Sequence, residues 1–437
     1  MLLRGTTRSL ASRRLLSSVC VYLSTMPQPP HTFGSAPILD LSELAAKLHT
    51  QEAQRQQAYE NSRVFHQALL QNKQDNLQEL LKSQSNDRKP RTANWSHRLE
   101  EYTRHCALQH FLTHGTLLEP ATLEPATDEE YLSGACMGLC QELQRYALGR
   151  ATVRDVDSVA AAHAVASQIL EYLLEFDFRN GPLRRKYDGC KYSVKALETL
   201  LYELAVTGTE APPEKKLKAS VSPALEELRL RYQERDQLRE NLIKQCRDGQ
   251  KSAKQAIFAL HRGDVKKARQ LLMDCEKCIM EQLWPIVQQE PPLRGGSFGN
   301  VLEEYVEAQL FAVWLHGKDW EGTTQGTVLL PNEWGELPIE PEDYLGGLCD
   351  LTGEIGRYAV QRGTARDVKG VELCWATNHS ICQALEVMDR LPSGINKKME
   401  TLRRSVEKIE RMLYEMSLSE AAGGRAVQSE APEEPEL

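Results

Sequence analysis

The segment RYALGRATVRDV, which begins at Arg145, returns 212 residues later (357 − 145) as RYAVQRGTARDV, beginning at Arg357. The same separation carries Ser193-Val194 onto Ser405-Val406, and LLYEL, ending at Leu204, onto MLYEM, ending at Met416. Upstream, YLSG at Tyr131 matches YLGG at Tyr344 with an offset of 213, so the first copy holds one extra residue between Gly134 and Arg145. LEEY at Leu99 matches LEEY at Leu302 at 203. One domain type is therefore written twice, and a length of 437 residues suits two domains with extended ends.

Each copy must build its own core, and the residues available favour helix. Aromatics are 6% of the chain, against a large share of Leu, Ala, Glu, Lys, Arg and Gln, and apolar residues recur at three-and-four spacing, as from Leu225 to Ala259 and from Asp264 to Trp284. The expected class is all-α, two tandem helical bundles. Pro212, Pro213, Lys215, Lys216 and Lys218 precede Pro223 and read as a linker. The expected division is a leader over 1–40, a first domain over 41–208, the linker over 209–222, a second domain over 223–418 and a disordered acidic tail over 419–437.

The leader carries Arg4, Arg8, Arg13 and Arg14 and no acid before Asp40, the composition of a mitochondrial presequence; the alternative is a disordered extension ahead of a start at Met26. No stretch of ~18 apolar residues suggests a membrane span. The net charge of −8 argues against coating by nucleic acid through overall basicity, although local basic stripes remain open. Eleven cysteines without a secretory signal point to free thiols. Cys275 and Cys278 form one CxxC, but no second pair follows to complete a zinc site.

Four carboxylates distinguish the copies. Glu304 and Glu307 are three apart and Asp350 and Glu354 four apart, so on helices each pair shares a face. Glu304 and Glu307 border the apolar residues of LEEYVEAQLFAVWL, and Asp350 and Glu354 lie among Gly346, Gly347, Gly353 and Gly356, where another backbone can approach. Half-buried acids repel one another and invite a divalent cation such as Mg²⁺ or Mn²⁺, which would suit hydrolysis of RNA or a nucleotide. The bland reading is an exposed charged face that includes Glu303.

The second copy resembles translin-associated factor X, through AKQAIFALHR at Ala253, LEEYVEA at Leu302, DYLGGLCDLTGEIGR at Asp343 and the late helix to Met416. The first resembles translin of the same superfamily, through EYLSG at Glu130 and LRRKYDGCKYSVKALETLLYELAVTG at Leu183. The resemblance implies about seven helices per copy and subunits closed into a barrel around single-stranded RNA or DNA. It implies a Mg²⁺-dependent endoribonuclease for small-RNA passenger fragments or tRNA precursors, in cytoplasm and nucleus. By motif match its site residues are Glu304, Glu307, Asp350 and Glu354, the first three as metal ligands and Glu354 as a fourth ligand or base. In the first copy Glu101 aligns with Glu304, Arg104 with Glu307, Met137 or Gly138 with Asp350, and Glu142 with Glu354, so that copy should not cleave.

Phosphate contacts need cations, and the candidates are Arg104, Arg145, Arg184, Arg185 and Lys186 in the first copy and Lys254, Arg262, Arg357 and Arg366 in the second. His97, Arg98, His105 and His110 form the densest His/Arg patch. Any one of these is alternatively a solvated helix residue. Four chains would supply eight units, with or without a separate translin subunit. The rival functions are an all-α nucleotide pyrophosphohydrolase and a non-catalytic nucleic-acid scaffold.

Overall fold

The computed structural model describes residues 39–71, 81, 93–123, 126–179, 182–207, 222–320 and 325–428, and every regular element among them is helical, as the composition predicts. Most of the expected leader and linker, and the chain beyond 428, lie outside the described residues. None of the described helices is long and apolar enough to cross a membrane. The first half contains α1 (Ser42–Leu70), α2 (Ala93–His114), α3 (Asp128–Tyr131), α4 (Leu139–Thr152), α5 (Val156–Leu173) and α6 (Pro182–Thr207). The second contains α7 (Pro223–His261), α8 (Val265–Lys277), α9 (Trp284–Gln289), α10 (Ser297–His316), α11 (Pro341–Thr364), α12 (Val368–Glu386) and α13 (Ser393–Gln428). The helix α13 is assigned as far as Gln428, and the rest of the acidic tail expected over 419–437 lies outside the described residues.

The repeated RDV motif is punctuation between helices. Arg154 and Arg366 both adopt a positive φ of 55°, ending α4 and α11. The next residue then caps the following helix: Asp155 accepts from the Ser158 amide at 3.1 Å, and Asp367 from the Gly370 amide at 3.0 Å. Arg150 pairs with Asp155, and Arg362 with Asp367 at 3.2 Å, so the upstream arginine of each motif steadies the cap. Asp155→Ala and Asp367→Ala should each lower unfolding free energy by about 1 kcal/mol in urea titrations. No loss at either position would show that the cap contributes nothing.

The extra residue of the first copy is absorbed as a π segment over Leu132–Gly138, joining α3 to α4. α11, its counterpart, runs without interruption from Pro341 to Thr364. Downstream of the π segment the offset is 212, which places Gly138 opposite Asp350 and leaves Met137 buried in the core.

The hydrophobic cores do not follow the order of the chain. Leu41, Leu44 and Leu48, at the start of α1, belong to the core of the second half, while Phe65, Ala68 and Leu69 at its end pack with Trp95 and Leu99 of the first. Reciprocally, α7 begins in the first half's core with Leu225 and Leu228 and continues into the second half's core from Leu242 onward. The Tyr172 hydroxyl donates to the Leu225 carbonyl at 2.7 Å, and Arg231 pairs with Asp128 at 2.9 Å. α7 has 39 residues and a length of about 58 Å, enough to reach both cores.

Candidate functional site

Helices α10 and α11 cross where glycine removes the side chain. A Cβ on Gly347 would stand 2.8 Å from both the Glu303 carbonyl oxygen and the Glu307 amide nitrogen, so the backbones meet at a distance no other residue permits. This crossing brings the Glu304–Glu307 face of α10 to the Asp350–Glu354 face of α11. The end of α7 and the start of α13 close the sides.

Glu307 occupies the centre. Burial, and then the charges of Asp350, Glu304 and Glu354, push its carboxyl up to about 8, with Lys398 opposing the rise. Burial also raises Asp350, against the pull of Lys398. The other acids each meet a basic group. Lys398 Nζ donates to Asp350 Oδ2 at 2.5 Å and to Glu303, and Lys254 Nζ lies 2.9 Å from Glu304 Oε1. Glu354 Oε2 stands 2.5 Å from His261 Nε2, with Arg357 at 3.7 Å. The His261 side chain is 3% exposed, its ring lies 4.8 Å from that of Phe311, and its Nδ1 has no partner.

All four acids singled out from sequence therefore converge, and Glu303 is a half-buried partner of Lys398 rather than part of an exposed face. As placed, no group of three or more His, Cys, Asp or Glu among the described residues is gathered closely enough to hold a metal ion. Lys398 and His261 went unnoticed in the sequence, although Lys398 lies 212 residues after Lys186 (398 − 186) and the repeat pairs them.

The same crossing recurs in the first half with different chemistry. A Cβ on Gly134 would lie 2.2 Å from the Glu100 carbonyl oxygen, and Lys186 Nζ donates to Glu100 Oε2 at 2.5 Å and to Ser133. The Lys–Glu clamp is thus common to both copies, and the carboxylate cluster is not. Arg104 Nε lies 3.5 Å from Glu142 Oε1, and Arg145 reaches the same carboxylate at 2.7 Å. Arg104 is longer than a glutamate, and the space it needs is supplied by Gly138, whose Cβ would sit 3.0 Å from Arg104 Cδ. The two replacements work as a set, turning a repulsive acid cluster into an ion pair.

Several expected phosphate contacts have partners within the chain. Lys186 is held by Glu100 and Ser133, Arg104 and Arg145 by Glu142, and Arg98 by Glu101 at 2.7 Å. His97 lies 3.5 Å from Glu101, and His110 bonds Thr116 at 3.0 Å and stacks on His114, so the His/Arg patch is largely bound up internally; His105 is half-buried. Arg184 lies 3.5 Å from Asp188. Arg357 is half-exposed beside Glu354, and Arg185 and Arg366 are exposed, the recurrence of Arg366 in both copies being explained by its place at a helix end.

A basic stripe, of which the sequence singles out only Lys254 and Arg262, runs along α7 and onto α8 at Lys267. Arg247, Lys251, Lys254, Phe258, Arg262 and Lys267 line an open groove of about 650 Å³ that reaches the site at Lys254–Glu304. The Arg262 guanidinium stacks 4.4 Å above the Phe258 ring, which is 48% exposed. Positions 247, 251, 254, 258 and 262 share one helical face, a signal present in the sequence but diluted by the acids on the rest of α7. Cys275 and Cys278 turn to backbone carbonyls, Cys275 to Gly249 at 3.3 Å and Cys278 to Gln245 at 3.9 Å.

The family model described as Translin family matches residues 40–208 and again 237–420. The second match begins beyond the turns of α7 that lie in the first half's core. The Translin-associated protein X homolog of Schizosaccharomyces pombe is 28% identical over 204 residues, covering 43% of this chain and 85% of that protein. Translin of Gallus gallus is 32% identical over 80 residues, 18% of this chain and 34% of that protein, so at this match the chain spans about a third of the relative. The structure of AfC3PO in complex with duplex RNA superposes with a TM-score of 0.37 at 25% identity, over 45% of this chain and 97% of that one.

Proposed function

The chain belongs to the Translin family in both of its halves, and from that premise we propose that it is a Mg²⁺- or Mn²⁺-dependent endoribonuclease acting on single-stranded RNA. The second half carries the site and the first half is a non-cleaving scaffold. One observation carries this reading: Glu307 sits among three further carboxylates, while the first half replaces the equivalent pair with Arg104 and Gly138. A carboxyl pushed up to about 8 by burial and then by three neighbouring carboxylates marks a site short of positive charge, and that deficit fits an oxygen-ligated divalent cation.

Glu304, Glu307 and Asp350 would hold the cation, with Lys254 and Lys398 giving up their pairings. When bound, it supplies charge to the phosphodiester oxygens. Glu354, oriented by His261, accepts a proton from the attacking water. The groove on α7 leads the backbone toward the site, its cations pairing with phosphates and Phe258 stacking on a base. Passenger-strand or tRNA-precursor fragments are the substrates this reading favours.

Self-association is supported by apolar side chains exposed at equivalent positions of the two copies. Leu148, Tyr202 and Val206 correspond to Val360, Tyr414 and Leu418 and are exposed in both halves. Four chains closed into a barrel would enclose the RNA, with or without a separate translin subunit.

The test is cleavage of a labelled single-stranded RNA with Mg²⁺, with Mn²⁺ and with EDTA, beside nucleoside triphosphates. Cleavage of RNA that stops in EDTA is expected. Triphosphate hydrolysis alone would identify a pyrophosphohydrolase, and binding without turnover a scaffold. Lys251→Met with Arg262→Met should weaken RNA binding and flatten its log–log salt slope by about 0.7 per cation removed; an unchanged slope would take the groove out of the RNA path.

A further inference from the structure

Two thiols of the first half face each other. Cys190 Sγ, on α6, lies 2.8 Å from Cys140 Sγ, on α4, and both residues are wholly buried. The neighbouring thiols of the second half instead meet carbonyl oxygens, as Cys275 meets that of Gly249. A covalent bond of ~2.05 Å needs a further approach of about 0.8 Å, within the reach of small side-chain rotations. The pair is peculiar to this half: positions 212 residues later are Thr352 and Leu402.

We propose that Cys140 and Cys190 form a disulfide when the chain folds in the presence of an oxidising low-molecular-weight disulfide such as oxidised glutathione. One cysteine thiolate attacks the glutathione disulfide, releasing one glutathione thiol and forming a mixed disulfide. The second thiolate displaces the other glutathione. Two protein thiols thereby lose two protons and two electrons, and one glutathione disulfide becomes two thiols.

Burial sets when this happens. The contact with Cys190, and burial after it, push the Cys140 thiol well above its ordinary range, so the closed fold presents little thiolate and no path for an oxidant. The bond forms while α6 is still docking or has opened, and docking then shields it from reductant. It ties the helix bearing Glu142 to the helix bearing Lys186, fixing both walls of the non-cleaving site. Cys136, buried one turn before Cys140, is the rival partner.

The full chain is refolded in a glutathione redox buffer, denatured with iodoacetamide and digested with trypsin without reduction. Cys190 then lies in the peptide Tyr187–Lys191, YDGCK. The expected product is this peptide joined to the one containing Cys140, lighter than the sum by roughly two hydrogens, with fragment ions placing the link at Cys140. Cys140→Ser should remove the link and Cys136→Ser leave it. Recovery of YDGCK solely in alkylated form, or fragment ions placing the link at Cys136, would overturn the proposal. Because the wild-type fragment ions already decide between the partners, the result stands even if a variant fails to fold.

Discussion

Glu307→Gln should lower RNA cleavage on the order of 10²–10³-fold, leave RNA binding in place and make the metal-free protein more stable at pH 8. The sign of the stability effect follows from the carboxyl being raised from its ordinary 4.5 to about 8 by burial and by Asp350, Glu304 and Glu354. The fold favours the protonated form, so this group's stabilising contribution is complete below pH 4.5 and is lost as the pH climbs through 8. Glutamine stays neutral and avoids that loss. Thermal midpoints in EDTA should therefore coincide near pH 4.5 and separate at pH 8, the variant lying higher; adding Mg²⁺ should raise the wild type alone and close the gap. Equal midpoints in EDTA at pH 8 would sink the electrostatic account of the site, and undiminished cleavage would remove Glu307 from the chemistry.

Gly134→Ala and Gly347→Ala should be the most damaging single substitutions outside the apolar core. At Gly134 the added carbon would fall 2.0 Å from Thr103 Oγ1 and 2.2 Å from the Glu100 carbonyl oxygen; at Gly347 it would meet two backbone atoms of α10 at 2.8 Å. Backbone cannot rotate aside as a flexible side chain can, so the helices must separate. The expected loss is at or above the usual ~1–3 kcal/mol for overpacking, read from urea midpoints. Gly347→Ala should also reduce cleavage, since it parts Glu307 from Asp350, whereas Gly134→Ala should act on stability alone. The reverse pattern would place the chemistry in the first half. Gly353→Ala, with open space around it, is the control.

Much of the site was legible because duplication supplies its own comparison. The offsets gave α2 and α10, or α5 and α12, as equivalent helices, and helical spacing put Glu304 with Glu307 and Asp350 with Glu354 on shared faces. The choice between Met137 and Gly138 was not legible, because a one-residue insertion can be taken up anywhere between two motifs; the π segment settles it. The basic partners were hidden for a different reason. Lys398, His261 and Lys254 reach the acids from other helices, and a spacing rule that works along one helix says nothing across the gap between two. The same limit hid the acidic partners of Arg98, Arg104, Arg145 and Lys186, which are Glu101, Glu142 and Glu100. The repetition of RDV records a helix joint.

The exchange of α1 and α7 between the cores has a bearing on how the chain emerges from the ribosome. Among the described residues, Leu41, Leu44 and Leu48 find their apolar surroundings in the second half, and Arg55 pairs with Glu342, 287 positions on. The start of α1 therefore waits with its leucines uncovered until nearly the whole protein has been made, a long-range closure of the sort that slows folding. The first half, meanwhile, lacks Leu225 and Leu228 until α7 appears. Since α1 and α7 each reach into the other half's core, cutting between 207 and 222 after synthesis should leave two fragments that still hold together. Of the described helices, the one made first is the one whose core arrives last.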